Sequence, residues 1–237
     1  MKGMTHAKSN DVERIPRIDL PKTPVVVREE LLEALVRGRK VLHVGCTDSP
    51  YTRERYAAGL LLHNRLAPLA TQMVGIDLDQ DAVAWLTAQG VPDLHVADAT
   101  RLGGFLESIS FSPDLVLAGE VVEHLSNPGN FLSALRDGLP PGARLVVTVP
   151  NAFAYFGILQ MILGREKVHP DHVAYYSYGT LKTLLEGNGF DVESLTPCRN
   201  REARRIDRIL HWPFHQFLRL RPHFATGYVA VARVRKG

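Results

Sequence analysis

Acidic side chains follow several apolar runs of the sequence at positions where they could bind a polar ligand. Asp77 closes the run "MVGID", and Asp98 follows "LHVA". A carboxylate at the end of a parallel strand can accept hydrogen bonds from ribose hydroxyls, and one on the next strand can accept from an adenine amine. The spacing therefore predicts a nucleoside site. Each residue also has a structural interpretation, because Asp79 or Asp81 beside Asp77 could cap a helix.

The loop "GCTDSP", Gly45 to Pro50, follows the apolar run "VLHV" and contains a single glycine. Gly45 lets the backbone approach a ligand closely, although a glycine here could also be a simple turn. A dinucleotide pyrophosphate requires several bare backbone amides, and Asp48 would repel it. A sulfonium with an amino-acid tail would not be repelled. The loop therefore favours S-adenosylmethionine over a nicotinamide cofactor.

Three histidines are candidates for a catalytic base, namely His124, His169 and His172. Histidine suits this task because its ordinary pKa lies near working pH. His124 follows the central apolar run "DLVLAG", whereas His169 and His172 lie in "HPDHV", which is also typical of a structured turn. Glu120, Glu123 and His124 could be metal ligands, but adjacent positions point to different sides of a helix, so no metal is expected.

Apolar runs of strand length alternate with segments of helical periodicity along the chain. This alternation predicts an α/β fold with a mostly parallel sheet covered by helices on both faces. Seven strands are expected, with an antiparallel last strand. Helices are expected over Val25 to Gly38 and over 53–70, among others.

The 237 residues carry 22% charged side chains and a net charge of +3, so DNA is not an expected partner. Residues 1–24 are polar and predict an N-terminal arm, followed by a single domain over 25–237. The two cysteines and the missing apolar core of a signal peptide favour a cytoplasmic protein.

A basic insertion at about 199–225 precedes the last strand. Its core, 199–222, contains apolar residues at near-helical spacing interrupted by Pro213, and seven arginines. It could pack on the domain, form a homodimer contact, cover an anionic acceptor, or make a peripheral membrane contact through its aromatic and basic side chains.

The sequence resembles the class I S-adenosylmethionine-dependent methyltransferases, in particular the group that includes the ubiquinone-biosynthesis O-methyltransferases. The resemblance covers about 41–192 and rests on "VLHVGC", "VGIDLDQDAV", "LHVADAT", "FSPDLVLAGEVVEHLSNPGNFL" and "HPDHVAYYSYGTLKTLLEGNGFDV". It implies a Rossmann-like fold. His43 departs from this pattern, because an acidic residue is usual at its position.

The resemblance also implies roles in cofactor binding. Gly45, Cys46 and Thr47 would line the methionine part, and Asp77 would hold the ribose with Leu78 packed on the adenine. Asp98 and Ala99 would contact the adenine edge, and Gly119 and Glu120 would lie beside the amino group and the sulfonium. The expected activity is O-methylation of a small-molecule or glycan-type acceptor. A non-catalytic cofactor-binding protein and an RNA or protein methyltransferase are the alternatives.

Overall fold

The computed structural model describes residues 17–201 and 212–235. Its sheet contains eight strands. They are β1 (Val26–Val27), β2 (Lys40–Val44), β3 (Gln72–Asp77), β4 (Leu94–Val96), β5 (Leu115–Gly119), β6 (Arg144–Pro150), β7 (Phe190–Arg199) and β8 (Gly227–Val234).

The strands lie in the order β1-β7-β8-β6-β5-β2-β3-β4. Strand β8 pairs antiparallel with both β6 and β7, and the other neighbouring strands pair parallel, which confirms the predicted α/β sheet and its antiparallel last strand. The sheet has one strand more than expected, because Val26–Val27 pairs with Cys198 and Arg199 at the edge. These two residues were expected in a helix, which in fact begins at Arg28.

Nine α-helices surround the sheet in the described part of the chain. They are α1 (Arg28–Val36), α2 (Thr52–Ala57), α3 (Leu62–Leu66), α4 (Gln80–Ala88), α5 (Leu102–Ser108), α6 (Pro128–Gly138), α7 (Tyr155–Ile162), α8 (Tyr178–Gly187) and α9 (Trp212–Leu220). The expected helix over 53–70 is divided into α2, α3 and a short 3-10 turn. Gly59, with φ of +66°, follows the end of α2 and interrupts the helical backbone.

Each face of the sheet packs against its own helices, because side chains alternate along a strand. On β2, Leu42 and Val44 belong to the apolar cluster that includes residues of α5, α6 and α8. Val41 belongs to the cluster on the other face, together with residues of α1 and α3. The predicted cover of helices on both faces is confirmed.

The carboxyl ends of β2, β3, β4 and β5 lie next to one another because these strands are parallel neighbours. The residues that follow them therefore meet at one edge of the sheet. Most of the predicted N-terminal arm and residues 202–211 of the basic insertion lie outside the described residues. Among the residues that the structure describes, no helix has both the length and the apolar character needed to span a membrane.

Candidate functional site

The loop after β2 turns sharply at Gly45 and is tied to the end of β3. Gly45 has φ of +72°, and a Cβ there would lie 2.7 Å from Cγ2 of Val121, so the position requires glycine. The amides of Gly45 and Cys46 both donate to the carbonyl of Ile76. Since the side chains of Cys46 and Thr47 are buried, this part of the loop can offer a ligand only its backbone.

Asp77 is held by hydrogen bonds in the position that the sequence predicts for a ribose acceptor. Its Oδ2 accepts from the amide of Thr47 at 3.0 Å and from the Thr47 hydroxyl at 2.8 Å. Its Oδ1 accepts from the amide of Asp79 at 3.1 Å. Asp79, and not Asp77, caps α4, because its carboxylate accepts from the amide of Ala82. Asp77 thus orients the loop after β2.

Leu78 follows Asp77 and is 71% exposed, which is unusual for a large apolar side chain at a strand end. Val96, the last residue of the neighbouring β4, is also exposed. The two side chains provide an apolar surface beside the Asp77 carboxylate, and a flat aromatic ring could cover it.

Asp98 and Ala99 lie just beyond β4. The Oδ1 atom of Asp98 accepts from both the amide and the hydroxyl of Thr100 at 2.8 Å, which caps a short 3-10 turn that begins at Ala99. These bonds lower the pKa of Asp98, so the carboxylate is charged at neutral pH. Oδ2 accepts no hydrogen bond from the described residues. Asp98 therefore has the capping role and retains an oxygen for an amine donor.

Glu120 follows β5 in a left-handed conformation with φ of +54°. This is unfavourable for a residue other than glycine, and such strain is concentrated at functional sites. Two contacts hold it, since its carboxylate accepts from the Thr148 hydroxyl at 2.9 Å and forms an ion pair with Arg28 at 3.2 Å. A Cβ added at Gly119, just before it, would be in ordinary van der Waals contact with the side chains of Leu62 and Thr148, at 3.7 Å from each.

Glu123 is fully buried, and neither of its carboxylate oxygens has a hydrogen-bond partner among the described residues. Burial and the neighbouring Glu120 raise its pKa well above the ordinary range, so it is protonated at neutral pH. Its backbone carbonyl accepts from the amides of Val173 and Ala174. This residue therefore joins the turn after β5 to the segment that contains His172.

The three predicted histidines come together in one cluster. The ring centroids of His124 and His172 lie 4.6 Å apart, those of His169 and His172 lie 5.1 Å apart, and those of His124 and His169 lie 5.7 Å apart. Partial burial and the two other imidazoles lower the pKa of His172. Tyr51, at the end of the loop after β2, meets His169 edge-on, which brings the cluster to the predicted cofactor loop.

This histidine cluster could also hold a metal ion. One ligand atom from each of His124, His169 and His172 lies within 4.8 Å of the others. Imidazole nitrogens are suitable ligands for zinc and other divalent ions. The sequence pattern pointed only to Glu120, Glu123 and His124 as ligands. It does not reveal the three-histidine combination, because His124 lies more than forty residues from the other two in the chain.

Two other features of the structure carry no recognisable sequence signal. Arg28 is remote in sequence from the strand ends, yet it reaches Glu120. His43 stands where the resembled family usually has an acidic residue. Its side chain points away from the cofactor edge, toward the face of the sheet that packs against α1 and α3. There it is buried with its Nδ1 3.3 Å from Nδ1 of His63 on α3. The sequence could not pair these histidines, because helix α3 reaches β2 only through the tertiary packing.

The chemistry of this edge fits S-adenosylmethionine. It offers a carboxylate and an apolar surface side by side for a nucleoside, at Asp77 and Leu78. It also offers the Glu120 carboxylate near the β5 end for a cationic group. Asp48, which forms an ion pair with Arg55, stands where a diphosphate would meet negative charge. The roles expected of the nine cofactor residues stay predictions.

Comparisons with known proteins identify the family. A methyltransferase-domain family model matches residues 21–195. A "probable S-adenosylmethionine-dependent methyltransferase" of Mycolicibacterium smegmatis is 31% identical over 159 residues, which is 66% of this chain and 53% of that protein. The human mitochondrial ubiquinone biosynthesis O-methyltransferase is 26% identical over 188 residues, covering 71% of this chain and 48% of that protein.

The fold has solved counterparts as well. The crystal structure of the N-methyltransferase NodS from Bradyrhizobium japonicum, in complex with S-adenosylhomocysteine, has a TM-score of 0.51 and 17% identity. The match covers 88% of this chain and 86% of that one. This similarity concerns the fold.

The parallel sheet, its antiparallel last strand and the carboxylates at the strand ends define a Rossmann-like nucleoside-binding protein. Together with the family match, they show that the chain belongs to the class I S-adenosylmethionine-dependent methyltransferases. Members of this family are transferases with S-adenosylmethionine as cofactor. The chain matches about half the length of the curated relatives.

Proposed function

We propose that the protein transfers a methyl group from S-adenosylmethionine to an oxygen of a small-molecule or glycan-type acceptor. The observation that carries the proposal is the convergence of three imidazoles next to the loop after β2. An oxygen nucleophile must lose a proton, and an imidazole beside the methyl donor could receive it. The ubiquinone biosynthesis O-methyltransferase among the relatives is consistent with an oxygen acceptor.

Cofactor binding would involve the strand ends. Asp77 would accept from the ribose hydroxyls, Leu78 would pack on the adenine, and Asp98 with Ala99 would meet its edge. Gly45, Cys46 and Thr47 would contribute the loop backbone, while Gly119 and Glu120 would lie beside the methionine part. When bound, S-adenosylmethionine supplies an electrophilic methyl group, and the protein contributes alignment.

His172 is the preferred base because its ring contacts both other imidazoles, and its pKa lies below the ordinary value of histidine. It is neutral at pH 7, and a neutral imidazole can accept a proton. His124 is in edge-on contact with it at 4.6 Å, and His169 adjoins both. The partial exposure of the cluster allows a proton received by His172 to reach solvent.

The test is release of S-adenosylhomocysteine in the presence of acceptors that carry phenolic or sugar hydroxyls. We expect His172→Gln and His124→Gln to lower kcat by about 100-fold, the usual contribution of a positioned base. Affinity for S-adenosylhomocysteine should stay within about twofold of wild type, because neither ring supports the strand ends. Unchanged kcat in both variants would contradict the role of the cluster as base.

The same assay distinguishes a base from a metal site. If the histidines act as bases, treatment with a chelator leaves kcat unchanged. A loss of activity that zinc or manganese restores, and that the His→Gln variants abolish, would contradict the base role and assign the cluster to a cation.

Two further functions are alternatives. Tight cofactor binding without turnover on any acceptor would favour a non-catalytic protein. The observation behind this alternative is that the loop "GCTDSP" contains a single glycine. Turnover with RNA or protein, but not with small acceptors, would favour a macromolecular substrate. The observation behind this alternative is the number of arginines in the basic insertion. We also propose that a single domain over 25–237 carries the activity and that the protein is cytoplasmic, which the presence of only two cysteines in the sequence favours.

We also propose that the basic insertion contacts a partner. Residues 199–222 could touch a membrane or a second copy of the chain, and α9 is the part of this core that the structure describes as a helix. The helix begins at Trp212, which puts Pro213 in its first turn, where proline is tolerated.

A further inference from the structure

Helix α7 is an apolar helix that the rest of the described protein covers only in part. Its eight residues, "YFGILQMI", contain no charged side chain, and none of them is buried. Met161 is 69% exposed and Ile162 is 75% exposed, and the adjoining Phe153 and Leu163 are exposed as well. Isolated exposed apolar residues are normal, but a contiguous group of this kind marks an interaction site.

The apolar surface continues from α7 onto α9. Tyr155 lies 5.3 Å from Phe214 and 5.4 Å from Phe217 between ring centroids, so aromatic contacts join the two helices. Leu220 follows Phe217 by three residues and is 76% exposed. We call this continuous surface, formed by Phe153, Tyr155, Phe156, Leu159, Met161, Ile162, Leu163 and Leu220, the α7–α9 face.

Cationic side chains border the α7–α9 face. Arg165 and Lys167 follow α7, while Arg219 and Arg221 lie at the end of α9, and all four are exposed. None of the four forms an ion pair with another described residue. Acidic residues are scarce nearby, because Glu166 is the only one between 152 and 170 and the sequence has none after Asp207.

A cavity at the end of α9 extends this positive border. It has a volume of about 510 Å³, and its lining includes Lys22, Arg199 and Arg219 together with apolar side chains such as Leu218 and Leu220. Cationic groups above an apolar wall complement a phosphate that is attached to an acyl chain. The lining thus has the chemistry expected at the boundary between lipid headgroups and the hydrocarbon region.

We propose that the α7–α9 face docks the protein on an anionic lipid bilayer. The exposed side chains of α7 would enter the region between headgroups and acyl chains, and the arginine and lysine border would meet the lipid phosphates. This assignment locates the contact mainly on α7, outside the basic insertion. It does not depend on the proposed acceptor or on the catalytic role of the histidines.

A second copy of the chain fits this face less well. In a two-fold dimer the same surface meets itself, so the cationic borders of the two copies would come together. Like charges in close contact oppose association, whereas an anionic membrane attracts every one of them.

Co-sedimentation of the full chain with lipid vesicles tests the proposal. The vesicles contain phosphatidylcholine alone or phosphatidylcholine with phosphatidylglycerol. We expect binding to the anionic vesicles to be at least about tenfold tighter than to the neutral ones, and to weaken at high salt. The double variant Met161→Asp/Ile162→Asp should bind anionic vesicles at least about tenfold more weakly, because the charged side chains cannot enter the acyl region.

Leu60→Asp is the matched control, since Leu60 is another exposed leucine and lies between α2 and α3, away from this face. It should bind vesicles as the wild type does, and all variants should retain affinity for S-adenosylhomocysteine, which shows that they are folded. Three results would overturn the proposal. They are no binding of the wild type to anionic vesicles, equal binding by the double variant, and a solution dimer that the double variant dissociates while vesicle binding is absent.

Discussion

Lowering the pH from 7.5 to 5 should destabilise the protein through the buried pair His43 and His63. The two rings stack with centroids 5.4 Å apart, and their Nδ1 atoms are 3.3 Å apart. Only one of these nitrogens can carry a proton without repulsion. Burial lowers the pKa of His63 to about 4, and burial together with His63 lowers the pKa of His43 well below its ordinary range.

The sign follows from comparing the folded and unfolded chains. An unfolded histidine takes up a proton near its ordinary pKa of about 6.5, whereas folded His63 stays neutral until about pH 4. Between these values the unfolded state binds more protons, so the free energy of unfolding falls as the pH falls. Well above about pH 6.5 both states are neutral and the pair has no such effect.

The magnitude can be worked from the shift of His63 alone. At pH 5 the unfolded histidine is almost entirely protonated and folded His63 is largely neutral, which corresponds to about 2 kcal/mol of lost stability relative to pH 7.5. For a chain of this size that loss corresponds to a fall in Tm of about 4–8 °C. His43 should add to it.

Urea unfolding at pH 7.5 and pH 5 measures the effect. Other groups also titrate in this window, so the informative quantity is the difference between wild type and His63→Gln. The variant should lose about 2 kcal/mol less than wild type between the two pH values, whatever its stability at pH 7.5. Equal losses in the two proteins would refute the assignment of His63 as a buried neutral histidine.

Three other substitutions test the construction of the cofactor edge. In urea unfolding, Gly45→Ala should lower stability by about 1–3 kcal/mol more than Gly59→Ala. Both glycines have positive φ, but only a Cβ at position 45 would press against Val121. Equal losses of stability in the two variants would argue against that contact. Thr47→Val should weaken S-adenosylhomocysteine binding about fivefold in calorimetry, since it removes the 2.8 Å hydrogen bond to Asp77 and loosens the loop. Ser177→Ala, which breaks the capping box of α8, should cost about 1 kcal/mol of stability and leave that affinity unchanged; weakened binding here would show that affinity reports general stability rather than the edge.

Much of the cofactor edge could be predicted from local pattern. Apolar runs predict the strands, and the residue after each run must then lie at the shared edge, which is how Gly45, Asp77 and Asp98 were singled out. The helix cap at Asp79 was also one of the open interpretations, and the structure confirms it.

Features that depend on tertiary packing could not be read from the sequence. Val26–Val27 is too short to show a strand period, so its pairing at the edge of the sheet was missed. Helix α7 was missed because its eight residues make little more than two turns, too few to show a helical period in the sequence. The ion pair of Arg28 with Glu120 joins residues 92 positions apart, and no local pattern encodes it.

Asp77 has two roles at the cofactor edge, as an anchor for the loop after β2 and as the acceptor for a ribose. Asp77→Asn keeps the size of the side chain and one carbonyl oxygen, but an amide nitrogen cannot accept a hydrogen bond. Thr47→Val disturbs only the anchor. Comparing the two variants therefore separates ribose binding from the position of the loop.

Calorimetric titration of S-adenosylmethionine and S-adenosylhomocysteine into the wild type and Asp77→Asn tests the assignment of the cofactor site most directly. We predict micromolar binding by the wild type and a loss of at least about 1.4 kcal/mol, a factor of ten, in Asp77→Asn. The loss should exceed that of Thr47→Val. Failure of the wild type to bind either ligand would contradict the assignment of this edge as the cofactor site.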